Sequence, residues 1–233
     1  VLIFKCPTPP HGDGRHSFSL IESLPVSTQP TNPLGLPSLS FAPLRPEHGK
    51  ALHALVAACK PLDENSLYCN LLQTSHFGAT SMGAWQQPSN ADHAPQLVGS
   101  VTGYFLPDAP QTLYIWQVAV LNDARGRGIG QSLLRHLLAN QAPSAVAEMQ
   151  TSITSSNRAS WQLFERFAQT LNAPTHVSVL FENEKHFGGA APTEHLLTIG
   201  PISADALNNS THARAVDGQE HASTRSMPEL TLR

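Results

Sequence analysis

Tyr114-Ile115-Trp116-Gln117-Val118-Ala119-Val120-Leu121 leads through Asn122-Asp123-Ala124 into Arg125-Gly126-Arg127-Gly128-Ile129-Gly130-Gln131 and then Ser132-Leu133-Leu134-Arg135-His136-Leu137-Leu138. The first eight residues are an apolar run rich in types that favour strands. A polar turn follows, then the glycine-rich segment. Ile129, Leu133, Leu134, Leu137 and Leu138 recur at helical spacing after it. A buried strand therefore runs through a glycine-rich loop into a helix. Glycines let the backbone approach a ligand closely, and the helix start offers unpaired N–H groups at the positive end of a dipole. Two arginines, Arg125 and Arg127, flank that place. The loop is built to hold phosphates.

Elimination narrows which phosphates. A Walker loop needs Gly-Lys-Ser/Thr after its glycines, and none is present. In a dinucleotide fingerprint Gly126 and Gly128 would be the first two glycines, but Gln131 stands where the third belongs. The bland alternative is an ordinary strand–helix turn that happens to contain glycine. The spacing Arg125-x-x-Gly128-x-Gly130 resembles the pyrophosphate loop of the GCN5-related N-acetyltransferases (GNAT), and Trp116–Val120 and Asn157-x-x-Ser160 extend the likeness. The resemblance implies acetyl-CoA as acetyl donor, held by Val118, Ala119, Val120, Arg125, Gly126, Arg127, Gly128, Ile129, Gly130, Gln131, Asn157, Ser160 and Phe164.

Composition sets outer bounds. The 233 residues suit one domain with extensions, and only 13% are charged. A formal net charge of -3 gives no basic stripe for nucleic acid. No apolar run approaches the roughly 18 residues a membrane span needs. Cys6, Cys59 and Cys69 have no metal-ligand spacing and point to a reducing, cytoplasmic compartment. The twelve histidines form no HExxH or paired metal pattern, so no metal is expected.

Taken in order, residues 1–38 are rich in proline, serine and threonine without any lasting period, and are expected to be a disordered extension. The acetyltransferase domain is expected over 39–203. It opens with a strand at Leu39–Arg45 and a helix begun by Pro46, with Leu52, Leu55, Val56 and Cys59 inward and Lys60-Pro61 at its end. Asn65 or Ser66 caps a second helix whose inner side carries Leu71 and Leu72. Thr80–Gln86 and Leu97–Phe105 form a hairpin around a polar loop, and Pro107–Pro110 turns the chain into the central strand. A strand at Val146–Thr154 follows the phosphate-loop helix, which ends near Pro143. A helix at Asn157–Ala168 comes next, and then strands at His176–Phe181 and Glu194–Ile199 joined by a loop containing Lys185–Gly189. Residues 204–233 read as a disordered tail. The resulting α/β order, β-α-α-β-β-β-α-β-α-β-β, is a mixed, mostly antiparallel sheet with helices on both faces, in agreement with the resemblance.

Other segments carry a narrower likeness. Pro61–Leu72 with Ser75-His76-Phe77, Gly99–Tyr104, Thr112–Val120 and Glu194–Gly200 resemble the corresponding segments of the diaminobutyrate acetyltransferases. The likeness covers roughly residues 39–200. That family acetylates the side-chain (γ) amine of L-2,4-diaminobutyrate on the way to the compatible solute ectoine, an osmotic-stress protectant. Two departures stand out. Gln150 occupies the place of a family glutamate, although Glu148 lies two residues back on the same face. Phe164 occupies the place where many acetyltransferases have a tyrosine that protonates the leaving thiolate.

Acetyl transfer to an amine sets three needs. The amine must lose a proton, since an alkylammonium titrates near pH ~10.4, so a base or water chain is required; Glu148 and Tyr68 are the candidates. The thioester oxygen needs a donor, which the resemblance assigns to the Val118 backbone N–H. The acetyl donor must be fixed along the strand. For a substrate with two amines and a carboxylate, Asp63, Asn65, Ser66 and Tyr68 offer acid and donors within one helical turn, with Trp116 as a wall and Gln150 beside it. Each has a plainer reading. Asp63 suits a helix mouth on dipole grounds alone, Tyr68 can be core filler, His76 reads as a structural histidine more readily than as a base, and Asn157 as an N-cap. An acetyltransferase for another small amine and a non-catalytic acetyl-CoA-binding module remain as alternatives. The expected partner is a small amino acid, not nucleic acid or membrane, and a homodimer is left open.

Overall fold

The computed structural model describes residues 38–60, 62–88, 94–142, 145–203 and 206. The expected extension and tail lie outside these residues, apart from Ser38 and Ala206, as do Pro61, Pro143 and part of the polar loop after Gln86. The strands are β1 (Leu39–Pro43), β2 (Ser81–Gln86), β3 (Gln96–Leu106), β4 (Ala109–Val120), β5 (Glu148–Thr154), β6 (Thr175–Phe181) and β7 (Glu194–Ile199). The helices are α1 (Gly49–Ala58), α2 (Leu67–Ser75), α3 (Ile129–Ala139), α4 (Arg158–Thr170) and α5 (Asn183–Phe187).

All seven strands form one sheet in the order β1-β2-β3-β4-β5-β7-β6. The β4–β5 pair is parallel and every other pair antiparallel. On one face α3 and α4 bury Leu133, Leu134, Leu137, Phe164 and Phe167 against Val101, Leu113, Ile115, Met149 and Ile153. On the other face α1 buries Leu52, Leu55, Val56 and Cys59 against Leu97 and Ala119. A mixed sheet with helices on both faces is therefore what the chain builds.

Three local readings are corrected. The hairpin turn is only Pro107-Asp108, and Ala109 and Pro110 already belong to β4; Pro110 is exposed at the strand start, where a missing N–H costs little. The segment read as a loop around Lys185 contains α5, whose five residues are too few to show a period and which ends on Gly188 in the left-handed region, φ 55°. The inner stripe of α2 is Asn70, Gln73 and Thr74, whereas Leu71 is 38% exposed and Leu72 half-buried. That stripe is polar because it meets α1 through a hydrogen-bond chain: Asn70 donates to Gln73 Oε1 at 2.9 Å, and its Oδ1 lies 3.1 Å from His53 Nδ1.

Two irregularities of β4 shape the site. The β3–β4 register runs Thr102↔Gln117 and then Gly103↔Ile115, so Trp116 is the extra residue of a β-bulge. A bulge breaks the two-residue alternation, and Trp116 and Gln117 both fall on the side of α1 and α2. The β4–β5 pairing covers only Thr112–Ile115 against Glu148–Thr151. Beyond the hydrogen bond from Thr151 Oγ1 to Ile115 O, 3.1 Å, the two strands part and leave a cleft.

Candidate active site

Backbone polarity along one wall of the cleft follows from the ladder. The Leu121 amide donates to Val98 O on β3 at 2.9 Å. By alternation, the N–H and C=O groups of Val118 and Val120 turn away from β3, toward the side that β5 has left. The Val120 carbonyl accordingly accepts from Arg125 Nε at 3.2 Å. Ala119, expected beside the cofactor with them, instead turns its backbone to β3 and its side chain under α1, 1% exposed.

At the end of this wall the chain makes a 3-10 turn at Asn122–Ala124 and enters the glycine loop. Gly126 and Gly128 have φ of 75° and 73°, the left-handed region that side chains with a Cβ rarely adopt. Gly128 caps α3, leaving the first amides of an eleven-residue helix open at its positive end. Gly130 serves packing, since a Cβ there would lie 3.1 Å from Leu163 Cδ1 of α4. Gln131 also ties the helices, donating to Leu163 O at 2.7 Å. Ile129 is buried in the core, while Arg125 and Arg127 are exposed, the latter donating to Gln86 Oε1 at 2.8 Å. Open helix amides, two left-handed glycines and two arginines fit a pyrophosphate. Asn157 Oδ1 accepts from the Ser160 amide at 3.1 Å, the plain N-cap of α4. Phe164 lies 3% exposed in the core and fills α4's inner face, and its phenyl ring has no proton to donate.

The floor of the cleft lies on the side of α1 and α2. Asn65 is 8% exposed and donates to Gln117 Oε1 at 3.1 Å, and Gln117 donates to the Asp63 carbonyl at 3.2 Å. Ser66 caps α2 by accepting from the Cys69 amide at 3.1 Å. These two expected ligands therefore spend their side chains on shaping the Asp63 segment. Trp116 lies edge-on to Tyr104 at 6.0 Å, and its buried Nε1 meets no protein acceptor among the described residues. That orphaned donor suits a substrate carboxylate.

One acid was missed by the sequence reading. Glu194, the first residue of β7, is 2% exposed and stands in register with Thr154, beyond the fork. Its charge acts on both Asp63 and Tyr114. Burial is the main cause that lifts the Asp63 carboxyl above its ordinary value, and Glu194 adds to it. Burial likewise lifts the Tyr114 phenol, which hydrogen-bonds Ser152. Two acids close enough for one to raise the other make a natural seat for an ammonium ion. The only local signal was an acid opening a partly apolar strand, Glu194-His195-Leu196-Leu197-Thr198-Ile199.

The two expected proton-handling groups are placed elsewhere. Glu148 begins β5 three rungs before the fork, about 10 Å along the strand, and packs beside Gly200. Gln150 pairs with Tyr114 one rung before the fork. Tyr68 is 71% exposed on the outer side of α2, because the inner stripe there is the polar one. Among the described residues no helix is long and apolar enough to cross a membrane, and no cluster of His, Cys, Asp and Glu is suited to a metal ion.

Comparison with known proteins bears on the family and the fold. The sequence profile of the acetyltransferase (GNAT) family matches residues 50–168. The L-2,4-diaminobutyric acid acetyltransferase of Methylotuvimicrobium alcaliphilum is 40% identical over 169 residues, 72% of this chain and 94% of that protein. Its counterpart in Vibrio cholerae is 41% identical over 165 residues, 70% of this chain and 91% of that protein. A solved structure of the Paenibacillus lautus diaminobutyrate acetyltransferase, in complex with L-2,4-diaminobutyric acid and coenzyme A, superposes with a TM-score of 0.64. It is 30% identical and covers 71% of this chain and 96% of that one.

Proposed function

The chain belongs to the acetyltransferase (GNAT) family and, within it, to the L-2,4-diaminobutyric acid acetyltransferases, and from that premise we propose how its cleft works. The protein transfers the acetyl group of acetyl-CoA to L-2,4-diaminobutyrate, a step of ectoine biosynthesis. The amine acetylated is the γ-amine. When bound, acetyl-CoA supplies an acyl group activated as a thioester. The Arg125–Gln131 loop and the open amides of α3 hold its phosphates. The outward Val118 N–H is offered to the carbonyl oxygen that gains charge.

Recognition of the amine rests on Asp63 and Glu194. Asp63 holds the α-ammonium, the Trp116 Nε1 donates to the carboxylate, and Glu194 takes the proton from the γ-ammonium so that a neutral amine attacks. What supports this assignment is that Glu194, buried beyond the fork, lies near enough to Asp63 for its charge to raise that carboxyl, while Gln117, next to the open Val118 amide, holds the Asp63 backbone. Cys59 and Cys69 are free thiols, in keeping with a reducing cytoplasm.

A homodimer belongs to the same proposal. β6 is an edge strand without charge or proline over seven residues, with Val177 and Val179 47% and 55% exposed on either side of Ser178. Two copies of such a strand pair antiparallel about a two-fold axis, setting Val177 opposite Val179.

The test is release of free thiol from acetyl-CoA by the purified chain across a panel of diamines. Diaminobutyrate should give the highest kcat/KM. Preference for another amine would leave only a broader acetyltransferase, and binding of acetyl-CoA without thiol release would mean a non-catalytic module.

A further inference from the structure

We propose that Gln117 is a positioning residue that sets the length of diamine the cleft accepts. The inference rests on the reading that Asp63 holds the α-ammonium. Gln117 reaches its place only because of the bulge at Trp116; without it, strict alternation would turn the side chain toward α3 and α4. Once turned, the side chain is 3% exposed and engaged at both its oxygen and its nitrogen. It accepts from Asn65 Nδ2 at 3.1 Å and donates to Asp63 O at 3.2 Å, spanning 52 and 54 residues of sequence.

Residues 62–66 form no helix or strand. Their place is fixed by Leu62 donating to Cys59 O at 2.9 Å, by the Lys60–Glu64 ion pair, by the Ser66 cap, and, as the tie to β4, by Gln117. Gln117 is the neighbour in sequence of Val118, whose amide faces the cleft. One residue thus fixes the spacing between the acid that takes one amine and the donor beside which the other amine reacts. A substrate with its amines two carbons apart along the chain from Cα to Cγ fits a fixed spacing. A homologue one methylene longer or shorter presents its second amine displaced by about 1.5 Å. Misplacement on that scale costs a reaction heavily when both ends are held.

The test compares kcat/KM for 2,4-diaminobutyrate, ornithine and 2,3-diaminopropionate in the full chain and in Gln117→Met, which keeps the volume and removes both hydrogen bonds. Gln117→Asn, which keeps the amide but shortens its reach, serves if the buried Asn65 left by Gln117→Met prevents folding. The expected result is a loss of about ten- to hundred-fold in kcat/KM for diaminobutyrate, with kcat lowered as well as KM raised, against less than about threefold for ornithine. The KM for acetyl-CoA should stay within about twofold. Combined with Asp63→Asn, the losses should be markedly less than multiplicative. An unchanged preference among the three amines in a folded Gln117 variant overturns the proposal, as do multiplicative losses. If Asp63→Asn alone leaves diaminobutyrate KM unaltered, the assignment of Asp63 falls and this proposal with it. If only the Gln117 variants are silent, Asp63 stands and the spacing role falls.

Discussion

Asp63 shows how a single side chain couples binding to stability. Replacement by Asn keeps its shape and removes its charge. A charge-assisted bond contributes about 1.5–3 kcal/mol, so kcat/KM for diaminobutyrate should fall by about one to two orders of magnitude, with the acetyl-CoA dissociation constant unchanged. A steady-state assay beside a calorimetric titration checks both. Stability carries its own signature. The folded carboxyl holds its proton to higher pH than the unfolded one, chiefly through burial and then through Glu194. The native state therefore binds more protons above the ordinary carboxyl range, and stability falls as pH rises through that window. The unliganded Asp63→Asn protein should gain stability relative to wild type as pH rises above the ordinary carboxyl range, read as denaturant midpoints. A difference that stays constant with pH would mean that Asp63 is not desolvated. Glu194→Gln should lower kcat more than it raises KM, since the missing acid would move a proton as well as hold a charge. Asp63 was legible in the sequence because it sits in a compact polar segment. Glu194 was not, since its meaning depends on the register of β7 against β5.

At the scale of elements, the strand–loop–helix unit around Gly128 was legible because everything it needs is local. Its glycines divide the work in a way that spacing alone does not reveal. Gly128 sits at φ 73° with nothing within 4 Å of a Cβ, so Gly128→Val strains the loop without a clash in the core. The left-handed conformation costs a β-branched residue roughly 1–2 kcal/mol or more. Calorimetry should show acetyl-CoA binding lost while the circular dichroism spectrum is kept. Gly130→Val should instead lower thermal stability by pressing on Leu163. Unaltered acetyl-CoA affinity in Gly128→Val would remove the phosphate-loop assignment. α2 was read the wrong way round because burial of Leu71 and Leu72 is the usual outcome for an apolar pair. The partner stripe on α1 is His53, and a polar seam between two helices gives no periodic signal.

Among the described residues, both sides of the core close within 39–206. Near the end of these residues Ile202 donates its amide to Ala147 O at 2.8 Å, and Ala206 packs on the same cluster. A chain limited to residues 38–206 should fold and keep full activity, whereas one ending at 203 gives up the Ala206 contact. Insolubility of the 38–206 chain would show that residues outside it complete the core. Light scattering should give a two-chain mass for the full protein and a one-chain mass for Val179→Lys, with β7 and Glu194 still in place. The claim that ties these scales together is that the cleft grips the α-ammonium and presents the other amine to the acyl group. Nuclear magnetic resonance of the product made from L-2,4-diaminobutyrate and acetyl-CoA tests it most directly. The acetyl group should be found on the γ-nitrogen alone; acetyl on the α-nitrogen, or a mixture of the two, would contradict the placement of Asp63, Glu194 and Val118 around one cleft.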